Sequence, residues 1–148
     1  MRNVTVAAIQ MSIPETPEKS VEKAEKLVRK AAAEGANVIL LPELFENWYF
    51  CQERRYDSYK LALPLEKNPA VRRFQAVAKE LSVALPISFY EQDGNVLYNS
   101  VAMIDADGSV MGVYRKTHIP DDHFYQEKFY FTPGDTGFKV WDTRFGKI

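Results

Sequence analysis

The chain has 148 residues, of which 46% are hydrophobic and 26% charged, a composition typical of a globular domain with an apolar core. Its 20 acidic and 19 basic residues leave a net charge of −1, so no basic field exists to attract nucleic acid or an anionic membrane. The single cysteine, Cys51, cannot form an internal disulfide, and the apolar run near the N-terminus is too short for a signal segment. We therefore expect a cytoplasmic protein that binds neither nucleic acid nor membrane.

The first third of the chain predicts a parallel β-α-β unit. The apolar run 4–11 predicts a strand buried on both faces, and the run 38–41 predicts a second strand. Between them, Thr16 and Pro17 form a helix start signal, and apolar residues then recur at spacings of three and four. Gly35 suits the end of this helix. Strand, helix and strand in this order are typical of an α/β protein.

The following segments predict a loop, a helix and an antiparallel meander. Residues 45–59 are rich in aromatic and charged side chains without periodicity and predict a long ordered loop. Asn68 and Pro69 begin a second helix in the same way as the first. Asp-Gly turn signals then separate three apolar strands, at 83–90, 96–104 and 110–114.

Two ionisable residues follow predicted strands directly. Open α/β sheets place their active sites at the carboxyl ends of strands, and Glu43 stands there after the run 38–41, where it could act as a general base. Lys116 follows the strand 110–114 and could direct its ammonium at a developing oxyanion. The alternatives are a solvated glutamate in a first helical turn and a surface lysine.

Other reactive side chains are weaker indications of a catalytic site than Glu43 and Lys116. Glu127 lies among aromatic residues, so it is either a partly buried second carboxylate or an exposed charge. Cys51 and His118 could form a thiolate–imidazolium pair, but we favour a buried structural thiol and a hydrogen-bonded wall histidine. The acidic cluster at 121–123 is a weak metal signal. We expect no metal and no cofactor.

Three runs in the chain carry a family resemblance: LLPELF at 40–45, YRKTHIP at 114–120 and YQEKFYFTPG at 125–134. Together they resemble the nitrilase superfamily of carbon–nitrogen hydrolases, and the resemblance extends along the whole chain. Segment 114–140 is most similar to the branch that hydrolyses N-carbamoylputrescine. The resemblance implies an α/β fold of the αββα sandwich type, incomplete in this chain, and a homo-oligomer.

The resemblance also implies a Glu-Lys-Cys catalytic set. Glu43 would be the general base, Lys116 the oxyanion-stabilising cation and Glu127 a supporting acid. The family's nucleophilic cysteine follows a strand that begins like residues 145–148, and Cys51 does not occupy that position. We therefore expect residues 1–148 to be the N-terminal part of a single carbon–nitrogen hydrolase domain, inactive alone and with its final strand unpaired.

The substrate implied is a linear amide that bears a distal amine, which acidic and aromatic side chains would recognise. One alternative is a sibling amidase of the β-ureidopropionase or ω-amidase type, which would prefer a distal carboxylate. Another is a non-catalytic interaction fragment, because an incomplete sandwich exposes apolar sheet. The candidate substrate contacts are Trp48, Tyr49, His118, Asp121, Asp122 and Tyr125.

Overall fold

A computed structural model describes residues 3–148 of the protein. Short 3-10 turns occupy Phe50–Gln52, Tyr56–Leu61, Leu65–Lys67 and Glu127–Phe129. The helices and strands are, in chain order, β1 (Val6–Ala8), α1 (Pro17–Ala33), β2 (Val38–Leu40), α2 (Pro69–Leu81), β3 (Leu85–Asp93), β4 (Val96–Ile104), β5 (Val110–Arg115), β6 (Asp142–Thr143) and β7 (Gly146–Lys147).

The strands form one extended sheet with a small hairpin beside it. β1 and β2 pair in parallel around α1, and β3, β4 and β5 form an antiparallel meander. A parallel bridge between Val38 and Ala84 joins the two parts, which gives the order β1-β2-β3-β4-β5. The predicted β-α-β unit followed by a meander is therefore confirmed.

Both helices begin at the predicted capping residues. The Thr16 side chain accepts a hydrogen bond from the backbone N–H of Lys19. Asn68 Oδ1 accepts one from the backbone N–H of Val71 at 2.9 Å. Each capping residue thus satisfies a backbone donor of the first helical turn that has no partner within the helix. Gly35 follows the end of α1 with a φ of 94°, a left-handed conformation that glycine adopts without strain.

The main core lies between the two helices and one face of the sheet. Phe45 and Phe74 pack edge to face with their ring centres 5.6 Å apart, which links the segment after β2 to α2. Burial of these apolar side chains is the chief favourable contribution to folding. The largest fully buried side chains of this core are Phe45, Phe74, Phe89, Ile39, Leu85, Ile87 and Ile104.

The opposite face of the sheet is only partly covered. Trp141, directly before β6, and Phe145, in the turn between β6 and β7, pack near Val38 on this face. Two expectations are wrong here. The first strand is not buried on both faces, since Val6 is 73% exposed. The final strand is not unpaired, because β7 pairs with β6.

The segment predicted as a long loop contains two 3-10 turns and enters a second core. Phe50 stacks on Tyr90 at 5.2 Å between ring centres and meets Tyr130 edge to face at 4.9 Å. We call this group, with Leu44, Cys51 and Phe131, the aromatic core. Within residues 3–148, none of the helices has the length and apolar character needed to cross a membrane.

Candidate active site

Glu43 lies in a tight turn directly after β2. The next residue, Leu44, adopts a left-handed conformation with φ of 52°, which costs free energy for a residue with a side chain. Two contacts hold it: its N–H donates to Ser88 Oγ at 2.9 Å, and its side chain is buried in the aromatic core. Tertiary contacts therefore fix this turn, and the Glu43 side chain remains half-exposed.

Lys116 brings a cation to this carboxylate. Its backbone N–H donates to the Asn99 carbonyl at 2.8 Å and so continues the β4–β5 ladder by one residue. Its Nζ lies 2.9 Å from Glu43 Oε1 and 2.9 Å from Glu127 Oε2. Burial lowers the pKa of Lys116, but its hydrogen bonds to the two carboxylates outweigh that effect and leave the pKa raised. The lysine is therefore held as a cation.

Glu127 is the buried member of the group. Its side chain is only 3% exposed, so the alternative of a solvent-exposed charge is wrong. A buried carboxylate needs a cation and hydrogen-bond donors. Lys116 supplies the cation, and the Tyr49 hydroxyl donates to Glu127 Oε1 at 2.6 Å. Burial is the larger cause and this hydrogen bond the second of a rise in the pKa of Tyr49 well above its ordinary value. The phenol therefore keeps its proton.

Glu43, Lys116 and Glu127, which we call the carboxylate–lysine cluster, thus meet at one point although long stretches of chain separate them. Cavities of about 250 Å³ and 370 Å³ flank the cluster. The first lies on the open face of the sheet and is lined by Leu40, Leu41, Glu43, Ser88, Asn99, Val101, Tyr114 and Lys116. The second is lined by Glu43, Tyr49, Lys116, Pro120, Tyr125 and Glu127.

Cys51 is fully buried in the aromatic core. Burial, and then the charges of Glu127 and Glu43, raise its pKa far above the ordinary thiol value. A thiol in this position is held in the unreactive protonated form. The structure supports the interpretation of Cys51 as a structural residue.

The predicted substrate contacts divide into three groups. Tyr49 and Tyr125 line the larger cavity beside the cluster, with their ring centres 6.1 Å apart. Trp48 is 64% exposed and His118 is also exposed. The structure does not place these two residues among those that line either cavity of the cluster.

Asp121 and Asp122 line a different cavity of about 260 Å³, together with Arg54, His123 and Gln126. Arg54 Nη2 lies 3.8 Å from Asp121 Oδ1, so this cavity carries charges of both signs. The structure therefore does not bring the two aspartates to the cluster itself.

Sequence reasoning missed two polar residues of the site. Ser88 on β3 and Asn99 on β4 are both buried, and they hold Leu44 and Glu43 respectively. The available signal was a polar side chain inside an apolar strand, because such a residue needs a partner when it is buried.

An α/β sheet with an acid and a lysine at strand ends along one edge has the architecture of an enzyme active site. The chain belongs to the carbon-nitrogen hydrolase family, whose model matches residues 5–148. The expected membership of the nitrilase superfamily is confirmed.

Particular relatives sharpen this placement. The chain is 53% identical over 147 residues to N-carbamoylputrescine amidase of Arabidopsis thaliana, across 99% of this chain and 49% of that protein. It is 47% identical to citrullinase of Francisella tularensis, across 100% of this chain and 52% of that protein. A crystal structure of carbon-nitrogen hydrolase from Helicobacter pylori G27 superposes with a TM-score of 0.90 and 35% identity, across 97% of this chain and 50% of the other. The chain spans about half the length of these relatives, and its α/β fold is confirmed over that half.

Proposed function

We propose that the protein hydrolyses the ureido group of a linear amine, with N-carbamoylputrescine giving putrescine, carbon dioxide and ammonia in polyamine biosynthesis. The observation that carries the proposal is the Lys116 ammonium held between Glu43 and Glu127. The 53% identity to an N-carbamoylputrescine amidase supports the choice of substrate.

The proposed reaction uses a cysteine thiolate supplied from outside residues 1–148, because the buried Cys51 is unsuited to the role. Glu43 takes the thiol proton as the sulfur attacks the carbonyl carbon. Lys116 donates a hydrogen bond to the oxyanion that forms. Glu43 then passes the proton to the terminal nitrogen of the ureido group, the bond between that nitrogen and the carbonyl carbon breaks, and ammonia departs to leave an S-(N-alkylcarbamoyl) enzyme.

The second half of the reaction reuses the same groups. Glu43 removes a proton from water as the water oxygen attacks the carbamoyl carbon, and the C–S bond breaks as the sulfur regains a proton. The carbamic acid released loses carbon dioxide and leaves the amine. In this scheme Glu127 holds the Lys116 ammonium in place, and Tyr49 holds Glu127 by donating a hydrogen bond to its Oε1.

For substrate recognition, we propose that Tyr49 and Tyr125 contact the alkyl chain beside the cluster. A carboxylate binds an ammonium group by charge-assisted hydrogen bonds. We therefore propose that Asp121 and Asp122 bind the distal ammonium of the substrate. Trp48 and His118 remain candidates for the rim of the site.

Citrulline is a second candidate substrate, because it carries a ureido group on a chain that ends in both an amine and a carboxylate. The 47% identity to a citrullinase favours it. So does Arg54, which places a cation beside Asp121 and could bind the extra carboxylate.

We also propose a cytoplasmic location and a homo-oligomer. The unpaired thiol of Cys51 supports the first, and the exposed Tyr56 and Phe138, at 80% and 82%, support the second. Cell fractionation and analytical ultracentrifugation test these statements. A periplasmic or secreted protein, or a monomer at micromolar concentration, would contradict them.

The function is tested with the longest natural polypeptide that contains these residues, which we call the full polypeptide. Ammonia release is measured with N-carbamoylputrescine, citrulline, β-ureidopropionate and an ω-amide as substrates. We expect the highest kcat/KM with N-carbamoylputrescine and no turnover by residues 1–148 alone. Preference for citrulline would select the second candidate, and preference for either of the other two would indicate a sibling amidase. Inactivity on all four substrates would contradict the proposed hydrolysis.

The nucleophile is tested separately. Loss of activity in Cys51→Ser would overturn the assignment of the nucleophile to a cysteine other than Cys51.

A further inference from the structure

Asn99 contacts both strand-end residues of the carboxylate–lysine cluster. Its side-chain amide donates to Glu43 Oε1, and its backbone carbonyl accepts the N–H of Lys116 at 2.8 Å. It lies in the middle of β4, opposite Tyr90 of β3, and is 3% exposed. The sheet therefore fixes Asn99 more rigidly than a loop could.

The two donors meet on the same carboxylate oxygen. Lys116 Nζ donates to Glu43 Oε1 at 2.9 Å, and Asn99 Nδ2 donates to that oxygen as well. Within residues 3–148, none of the hydrogen bonds that Glu43 receives ends on Oε2. The side chain of Glu43 is 48% exposed, so the carboxylate is not enclosed by protein. The environment thus makes the two oxygens of one carboxylate unequal.

We propose that Asn99 is a positioning residue that occupies Oε1 together with Lys116 and leaves Oε2 of Glu43 to accept and return the proton. The inference rests on the proposed function. Proton transfer requires a lone pair aimed at the donor at hydrogen-bond distance. A carboxylate free to rotate would spend only part of its time in that geometry, whereas one held at Oε1 by two donors keeps Oε2 in place.

The amide is suited to this task because it is neutral and carries donors. An aspartate at position 99 would place a second negative charge against Glu43, and an apolar residue would leave Oε1 to Lys116 alone. The backbone on the other side of Glu43 is held independently, by the bond from Leu44 N–H to Ser88 Oγ. Loss of the Asn99 amide would therefore free the carboxylate without releasing the turn.

The kinetic test uses Asn99→Ala and Asn99→Asp in the full polypeptide. Asn68→Ala is the matched control, because Asn68 is also a buried asparagine, 2% exposed, but caps α2. With the best substrate, we expect both Asn99 variants to lower kcat about 100-fold and to change KM less than about threefold. Asn68→Ala lowers the unfolding temperature but keeps kcat within about threefold of wild type. Equal kcat in Asn99→Ala and Asn68→Ala would overturn the proposal.

Crystal structures of the wild type and Asn99→Ala give a readout that needs no activity. In the variant Lys116 alone holds Oε1, so we expect the Glu43 carboxylate to rotate about that contact and Oε2 to leave its wild-type position. An unchanged carboxylate would overturn the role of Asn99. A wild-type enzyme without ureido hydrolysis but with a rotated variant carboxylate would instead contradict the proposed function and leave the positioning role supported.

Discussion

Lys116 Nζ lies 2.9 Å from Oε2 of Glu127, a carboxylate whose side chain is only 3% exposed. Lys116 is thus the counter-ion of a buried charge as well as the cation proposed for the oxyanion. A buried ion pair contributes little net stability, but the loss of one partner leaves an uncompensated charge. Stability and chemistry are therefore coupled at this residue.

Lys116→Met is expected to lower the free energy of unfolding by about 3 kcal/mol, because it leaves Glu127 buried without a cation. Adding Glu127→Gln to this variant should restore at least half of the loss. Urea denaturation measures both effects. The control is Lys19→Met, whose exposed pair with Glu15 at 4.0 Å should contribute less than about 1 kcal/mol. Equal stability of Lys116→Met and wild type would show that Glu127 is not held as a charge.

Glu46 should make stability depend on pH. Burial raises its pKa to about 7 from an ordinary 4.5, and the hydrogen bond from Asn68 offsets this only in part. Because the folded state binds this proton more tightly than the unfolded state, the contribution is complete below pH 4.5. It is lost as the pH rises to about 7.

The variant Glu46→Gln should remove a fall of about 3 kcal/mol in the free energy of unfolding across that pH range. Urea denaturation at several pH values measures it, with the exposed Glu66→Gln as the control. If the pH profiles of Glu46→Gln and wild type run parallel, Glu46 is not the titrating group.

Gly134 lies too close to the backbone of β5 to carry a side chain. A Cβ there would lie 2.0 Å from the Arg115 carbonyl oxygen, while the Gly134 N–H donates to the Lys116 carbonyl at 2.8 Å. Gly134→Ala should therefore lower stability by about 3 kcal/mol and reduce activity, because the backbone that carries Lys116 must shift.

Gly137→Ala is the control for this change. Gly137 has a φ of 65° but no atom within 4 Å of a Cβ, so the cost should be about 1 kcal/mol from backbone strain alone. Thermal unfolding of the two variants compares the loss of stability caused by the steric clash at position 134 with the loss caused by backbone strain at position 137. A smaller loss in Gly134→Ala than in Gly137→Ala would contradict the close approach.

Asp121→Asn and Asp122→Asn should change substrate preference more than turnover. If these carboxylates bind the distal ammonium, KM for N-carbamoylputrescine should rise about tenfold with kcat nearly unchanged. An amide analogue without the terminal amine should show no such effect. Asp57→Asn, which alters an exposed pair with Arg55, is the control. An unchanged KM ratio between the two substrates would remove both aspartates from the binding site.

Local signals in the sequence determined much of the secondary structure. Thr16 and Asn68 mark helix starts because a capping oxygen satisfies backbone donors a few residues away, and the Asp-Gly turns mark the meander for a similar local reason. Strand-end positions and aromatic surroundings also marked Glu43, Lys116 and Glu127 as candidates, and the family resemblance implied a role for each. Each of these signals is contained in a short run of residues.

The tertiary structure decided how those residues are connected. Glu43 and Lys116 are 73 residues apart in the chain, and only the bridge between β2 and the meander brings their strand ends together. Asn99 could not be assigned from the sequence, because its role depends on which oxygen of Glu43 it faces. The exposure of Val6 could not be predicted from the sequence either, because it depends on which elements pack against that face of the sheet. Composition and spacing specify local conformation, whereas distances between remote residues depend on sheet order and packing.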